Sequence, residues 1–301
     1  MATIDAGSKS QALQRIDRSL YPFEHRWADI DGHRIHYVDE GTGPTLLLLH
    51  GNPTWSFVYR DVIRGLRDSF RCIAVDYPGF GLSSAGPGYR FTPAEHSKAI
   101  EGLVHKLDLH DVTLMVHDWG GPIGLGVAVR NPERFRAFVI GNTFAWPVNG
   151  DPKLEGFSKL MGGPIGWFGI RYFNAFVNLL IPIGMGRKRP DRNVMEHYRL
   201  PFRGSSRSRV PTFVFPRAIL SSRAYLEQVA AGLPAITDRP ALIVWGDRDP
   251  AFQVKERERF ERLFPNHQTV VLEGAAHYIQ EDAPEEIIGA IRDWMPSTAA
   301  G

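Results

Sequence analysis

The sequence predicts an α/β protein with a mostly parallel central sheet, helices on both faces, and a helical cap inserted between late strands. Three observations predict it. Short apolar runs alternate with stretches of helical spacing through most of the 301 residues, and strand–helix–strand repetition implies parallel pairing. One run, "PTLLLLHGNP", is continuously apolar, as a strand covered on both faces must be. The alternation then stops between Thr143 and about Pro216, where aromatic residues and prolines accumulate without a clear strand.

The elements follow in order. "HRIHYVDEG" reads as an early hairpin strand. After "PTLLLLHGNP" comes "FVYRDVIRGLRDSF", with helical spacing, then the strand "RCIAVDYPGFG". "PAEHSKAIEGLVHKLDL" is helical and leads into the strand "VTLMVHDWGG". "PIGLGVAVRNPER" and "FRAFVIGNT" complete a further helix–strand pair. The interrupted window holds Trp146, Trp167, Phe168, Tyr172, Phe173 and Phe176. Beyond it lie "PALIVWGDRD", the helical "QVKERERFERLF", the strand "QTVVLEGAAH" and the amphipathic helix "PEEIIGAIRDWM". This order divides the chain into a first core segment, 1–142, a cap, 143–216, and a second core segment, 217–301.

Composition bounds the function. Hydrophobic residues make up 43% and charged residues 23%, ordinary values for a globular enzyme. A net charge of +2 gives no nucleic-acid footprint, and no basic stripe with interleaved aromatics occurs. The single cysteine, Cys72, has no partner for an internal disulfide and falls in an apolar run, as a buried strand residue would. The polar N-terminus "MATIDAGSKSQALQRIDRSL" lacks a signal-type apolar segment, so a cytoplasmic protein is expected. "GGPIGWFGIRYFNAFVNLLIPIGMG" approaches the length of a membrane span, but Arg171, Asn174, Asn178 and Pro182 interrupt it. A pair of buried or pocket-lining helices is expected there, with no span. Any exposed part of it would offer a face for self-association. The basic clusters "GRKRPDR" and "RGSSRSR" read as solvated loops.

Ligands of an open parallel sheet bind beyond the C-terminal ends of its strands. Asn52, Asp118, Trp119, Asp247, Asp249 and His277 all emerge there, from different strands. Taken alone, Asp118 is an N-cap. Gly120 and Gly121 behind it permit the sharp turn of a nucleophile elbow, with Asp118 at the position of serine in G-x-S-x-G and Val116 replacing the first glycine. His277 is one of eleven histidines, but it follows the last strand, which gives the chain order nucleophile, acid, histidine. Asp247 reads as a turn residue in "GDRD"; Asp249, further out, is the better acid. Trp119 as a core aromatic and Asn52 as a turn residue before Pro53 are the ordinary readings of each taken singly. His33 and His36 face opposite sides of a strand, and no metal-binding pattern occurs.

These residues carry a resemblance. "HGNPTWSFVYR", "DYPGFGLS", "VHDWGGPIG", "WGDRDPAF" and "GAAHYIQEDAP" resemble the haloalkane dehalogenases of the α/β-hydrolase superfamily, over almost the whole chain. The combination of "HGNPT" with "DWGG" is the specific one. The resemblance implies the α/β-hydrolase fold, a nucleophile at Asp118, a base at His277, an acid at Asp249, and a halide-binding pair at Asn52 and Trp119. The strand end "FVIGNT" offers uncharged Asn142 where some members carry the acid, so the pattern looks most like the subgroup with an Asp–His–Asp triad and an Asn–Trp halide pair. It also implies an oxyanion hole from the backbone N–H groups of Asn52 and Trp119, no cofactor, a small apolar halogenated substrate, water, and halide as a product. The chemistry suits the residues. An ionised carboxylate attacks saturated carbon without a base, and indole and amide N–H groups receive a departing halide. The rival is an epoxide hydrolase with the same nucleophile, which needs two acidic cap tyrosines; Tyr172 and Tyr198 are available. Arginine beside the nucleophile, as a fluoroacetate-type dehalogenase would want, is absent, and a luciferase-like oxygenase is remote. A binding-only homologue would have lost a triad member, and none is lost.

Overall fold

The computed structural model describes residues 6–204 and 206–298. The first five residues of the polar N-terminal stretch and the last three of the second core segment lie outside them, as does residue 205 in "RGSSRSR". Eight strands form one sheet: β1 (Arg26–Ile30), β2 (His33–Glu40), β3 (Thr45–Leu49), β4 (Arg71–Val75), β5 (Val112–Asp118), β6 (Phe135–Thr143), β7 (Ala241–Gly246) and β8 (His267–Leu272). Their spatial order is β1-β2-β4-β3-β5-β6-β7-β8. β1–β2 and β2–β4 pair antiparallel, and every pairing from β4 to β8 is parallel.

Sequence dictates much of this locally. Asp31 and Gly32 both take positive φ, 47° and 81°, so the two-residue turn between β1 and β2 has the twist that a right-handed hairpin requires. The antiparallel edge places one polar-patterned hairpin outside the parallel core. At the centre, every residue of β5 is buried, and Leu46, Leu47, Leu48 and Leu49 of β3 are at most 1% exposed. Such strands are covered by helices on both faces. Cys72 is buried and unpaired on β4. The helix Pro93–Lys106 starts with a capping box, in which Thr92 Oγ1 accepts from the Glu95 N–H and Glu95 Oε2 from the Thr92 N–H, both at 3.2 Å. On one face, a Cβ at Gly65 would lie 2.4 Å from the Ile288 side chain, so glycine there lets the helices Arg60–Leu66 and Pro284–Thr298 pack closely.

Between β6 and β7 the chain is helical: Pro152–Met161, Pro164–Phe173, a π-helical turn Phe176–Leu180 running into Ile181–Ile183, Arg192–Arg199, Val210–Ser221 and Arg223–Gly232. The division placed at 216 falls inside the helix Val210–Ser221. Pro216 lacks an N–H yet continues that helix, and its carbonyl accepts from Ser158 Oγ at 2.7 Å. No helix among the described residues is long and apolar enough to cross a membrane. Asn174 ends the helix Pro164–Phe173 in the left-handed conformation, φ 50°, which splits the long apolar stretch into short helices. The N-terminal helix Ala6–Gln14 is tied in by Lys9, whose Nζ donates to the carbonyls of Gly79 at 3.0 Å, Gly81 at 2.8 Å and Pro201 at 3.4 Å.

Candidate active site

The end of β5 is the pivot of the site. Asp118 has φ 50°, the left-handed region that a non-glycine residue occupies at a cost of about 1–3 kcal/mol. The glycines around it make the turn sterically feasible. A Cβ at Gly120 would lie 2.3 Å from the Leu49 carbonyl oxygen, and one at Gly121 would lie 1.9 Å from Thr143 Oγ1. Gly51 is as constrained, since its Cβ would meet Asp118 Oδ1 at 2.2 Å. Thr143 Oγ1 donates to the Asp118 carbonyl, pinning the bend from the neighbouring strand. The N-cap of the helix Gly120–Arg130 is Trp119 and takes no side-chain cap bond, so the Asp118 carboxylate is free for other use.

That carboxylate is buried and held by backbone donors. Oδ1 accepts the Asn52 N–H at 2.7 Å, and the Trp119 N–H also donates to the carboxylate. Burial raises the Asp118 pKa, against the opposing pull of His277 and of these two N–H groups. Oδ2 lies 3.8 Å from His277 Nε2, too far for a hydrogen bond. His277 Nδ1 is 2.9 Å from Asp249 Oδ2. Burial by itself would lower the His277 pKa; the charge and hydrogen bond of Asp249, together with the charge of Asp118, outweigh it and raise the pKa to about 8. Burial likewise pushes Asp249 up, but His277 and the donors from Ala251 and Asn142 bring it below its ordinary value.

Asp247 lies elsewhere. It is exposed, and its Oδ1 accepts the Gly274 N–H at 2.7 Å, as a turn residue does.

Two supporting residues were not singled out for these roles in the sequence. Asn142 Nδ2 donates to Asp249 Oδ2 at 2.9 Å, while its Oδ1 accepts the Gly246 N–H at 2.8 Å. The second bond fixes which way the amide points, so the first presents a donor to Asp249. The signal available was its position at the end of a strand beside that of Asp249. His117 is 2.7 Å from the His277 carbonyl through Nε2, and burial lowers its pKa to about 3. It is therefore neutral, with the proton on Nε2, and it props the loop that carries His277. Its place in an unbroken buried strand concealed it.

Asn52, Asp118, Trp119 and His277 line one cavity of about 310 Å³. Phe144, Phe157, Phe176, Ile219 and Phe252 make most of the rest apolar. The Trp119 ring is fixed between Phe144 and Phe215, with centroids 5.0 and 5.1 Å away. Its indole N–H has no hydrogen-bond partner among the described residues. Asn52 Nδ2 donates to the Thr212 carbonyl at 3.2 Å, which leaves its second amide hydrogen uncommitted. Neither tyrosine considered for ring protonation lines this cavity. Tyr172 is 54% exposed, and Tyr198 is buried with its hydroxyl on Glu281. Tyr278 is the one tyrosine in the lining.

Comparison with known proteins shows what the chain is similar to. Residues 44–284 match the family described as alpha/beta hydrolase fold. The chain is 46% identical over 277 residues to haloalkane dehalogenase 2 of Mycobacterium bovis, covering 91% of this chain and 96% of that protein. It is 34% identical over 289 residues to a cis-3-alkyl-4-alkyloxetan-2-one decarboxylase of Shewanella oneidensis, covering 93% and 91%. Among solved structures, an ancestral haloalkane dehalogenase superposes with a TM-score of 0.83 at 27% identity, covering 92% of this chain and 100% of that one.

Proposed function

The chain belongs to the haloalkane dehalogenase family of the α/β-hydrolase superfamily, and from that premise we propose the route by which it hydrolyses the carbon–halogen bond. One observation carries the proposal: an ionisable carboxylate on a strained elbow shares an apolar cavity with an indole N–H that has no hydrogen-bond partner among the described residues. Asp118 Oδ2, the oxygen on the side of His277, attacks the halogen-bearing carbon. The C–X bond breaks as the C–O bond forms. The halide leaves toward the Trp119 indole N–H and the spare amide hydrogen of Asn52, which stabilise charge as it develops.

The product is an alkyl ester on Asp118. His277 then takes a proton from water, and the water oxygen attacks the ester carbonyl carbon. Oδ1 becomes the oxyanion; it already accepts the Asn52 N–H, and the Trp119 N–H acts on the same carboxylate. The acyl C–O bond breaks, the alkoxide carrying the former Oδ2 takes one proton of the attacking water and departs as the alcohol, Asp118 returns as a carboxylate, and the other proton is passed to solvent. Esterification also removes the negative charge of Asp118, one of the influences that raise the His277 pKa. The histidine is therefore more fully in its neutral form in the ester than in the free enzyme, and so available to take a proton in the second step. Asp249 orients the imidazole and stabilises its charged form. The helices between β6 and β7 form the cap that covers the cavity and excludes bulk water.

His277→Gln separates the two steps. One equivalent of bromide is expected in a burst from a terminal bromoalkane, followed by little turnover. The intact mass should rise by the alkyl group, mapped to the peptide carrying Asp118. Free turnover by this variant, or an adduct on another residue, would overturn the assignment. The decarboxylase relatives favour one further reading for the same site: Asp118 attacks the ring carbon bonded to the ring oxygen of a dialkyl β-lactone and breaks that C–O bond, and the freed carboxylate then leaves as carbon dioxide while the bond to Asp118 breaks, giving an alkene and restoring the Asp118 carboxylate. Carbon dioxide release from such a lactone without halide release from any bromoalkane would select it.

A further inference from the structure

The segment that covers the cavity has an unusual outer face. Of the ten large hydrophobic side chains exposed among the described residues, eight lie between residues 160 and 183; the other two are Val254 and Val271. Trp167, Phe168, Tyr172 and Phe173 form a contiguous cluster of ring contacts. Arg171 lies over it, 5.2 Å from the Trp167 centroid and 5.9 Å from that of Tyr172. Leu179 and Ile183, 57% and 67% exposed, are four residues apart on the next helical run and so share a face. Ile183 also lines the catalytic cavity, together with exposed Lys153. The exposed apolar surface is thus continuous with the cavity mouth.

Charge is partitioned in the same sense. Residues 144–221 contain twelve Lys and Arg against four Asp and Glu, a net +8; the whole chain carries +2, so the remainder carries −6. Lys188, Arg189 and Arg192 are exposed and without a hydrogen bond or ion pair among the described residues. A segment that exposes aromatic rings and basic side chains in this way matches the headgroup region of an anionic bilayer, where tryptophan and tyrosine sit at the interface and arginine and lysine meet lipid charge. A second copy of the chain fits less well. A two-fold dimer through this segment would bring together two copies that each carry a net +8, and among the described residues the acidic remainder offers only Val254 and Val271 as large exposed apolar residues.

We propose that this face docks on an anionic lipid bilayer, with the cavity mouth turned toward the membrane, so that apolar substrate enters from the lipid phase. The docking is independent of the chemistry; the delivery rests on the dehalogenase reading above. Being peripheral, it needs no membrane span.

The test is co-sedimentation of the full chain with phosphatidylcholine vesicles, with and without roughly 30% phosphatidylglycerol. Binding is expected only to the anionic vesicles, and it should be lost as salt rises from about 0.05 to about 0.5 M. Lys188→Gln/Arg189→Gln/Arg192→Gln should weaken it about 100-fold, at roughly fivefold per charge. Phe168→Ser/Phe173→Ser should weaken it as well. Both variants should hydrolyse a short, water-soluble bromoalkane as the parent does, which shows that they are folded. Absence of binding to anionic vesicles, or equal binding to neutral ones, overturns the proposal. So does a concentration-dependent dimer that Phe168→Ser/Phe173→Ser dissolves without any vesicle binding. Vesicle binding by a chain with no dehalogenase activity would uphold docking and reject the functional reading.

Discussion

Asp118 illustrates how one residue is made both strained and available. Its φ of 50° lifts the side chain above the sheet, and glycine at 51, 120 and 121 removes every Cβ that would collide with the turn. The indole beside it should be tested separately from its bulk. Trp119→Phe keeps the ring contacts with Phe144 and Phe215 and removes the N–H. The expected loss is about 2–4 kcal/mol of transition-state stabilisation, by the precedent of deleting an oxyanion donor. Bromide should also bind more weakly, as read by quenching of the remaining tryptophans. An unchanged bromide affinity would mean that another donor holds the halide.

At the scale of elements, the stretch "DYPGFGLS" is an anchor. Asp76 follows β4 and is fully buried. Its carboxylate accepts the N–H groups of Ser56 and Leu82, both at 2.8 Å, and lies 2.7 Å from His36 Nδ1. Burial pushes its pKa up, but His36, His50 and these donors bring it down to about 2. A depressed folded pKa contributes stability above the unfolded value, near 3.8, that is lost as pH falls toward 2. Asp76→Ala should cost about 3–5 kcal/mol at neutral pH, since it breaks a buried, hydrogen-bonded pair. Its urea midpoint should also fall less steeply than the parent's between about pH 4 and about pH 2. Parallel midpoints across that window would show that Asp76 does not carry this part of the acid sensitivity.

The whole molecule is held together by polar ties as well as by its core. Arg60 and Tyr198 both meet Glu281 in buried contacts, which links the helix Arg192–Arg199 to the core. Lys9 joins the N-terminal helix to the loop after β4 and to Pro201. Removing that ammonium while keeping the stem, as in Lys9→Met, leaves buried carbonyls without their donor. A loss of about 1.5–3 kcal/mol is expected in chemical denaturation, the usual worth of a hydrogen bond to a charged group. An unchanged midpoint would mean that the N-terminal helix contributes nothing to the joint.

The sequence by itself determined the class of fold, the order of the main elements and which residues gather at the candidate site. The physical reason is that these signals are local. A strand buried on both faces must be continuously apolar, as "LLLL" and "LMV" are, and a sharp elbow must be followed by small residues, as Asp118 and Trp119 are followed by Gly120 and Gly121. β1 escaped notice because "RWADI" is a short edge strand whose partner satisfies one side only. Distances between strands belong to the tertiary structure. Only there is Asp249 separated from Asp247, because one carboxylate reaches His277 and the other meets the Gly274 N–H. Only there does Asn142 acquire a role, since residues 107 positions apart meet on neighbouring strands. The tyrosines could not be judged from sequence either, because whether Tyr172 or Tyr198 reaches the cavity depends on the packing of helices whose spacing gives no direction toward the sheet. The exposed aromatic face is legible as composition, but packing alone decides which of its rings face the core and which face outward.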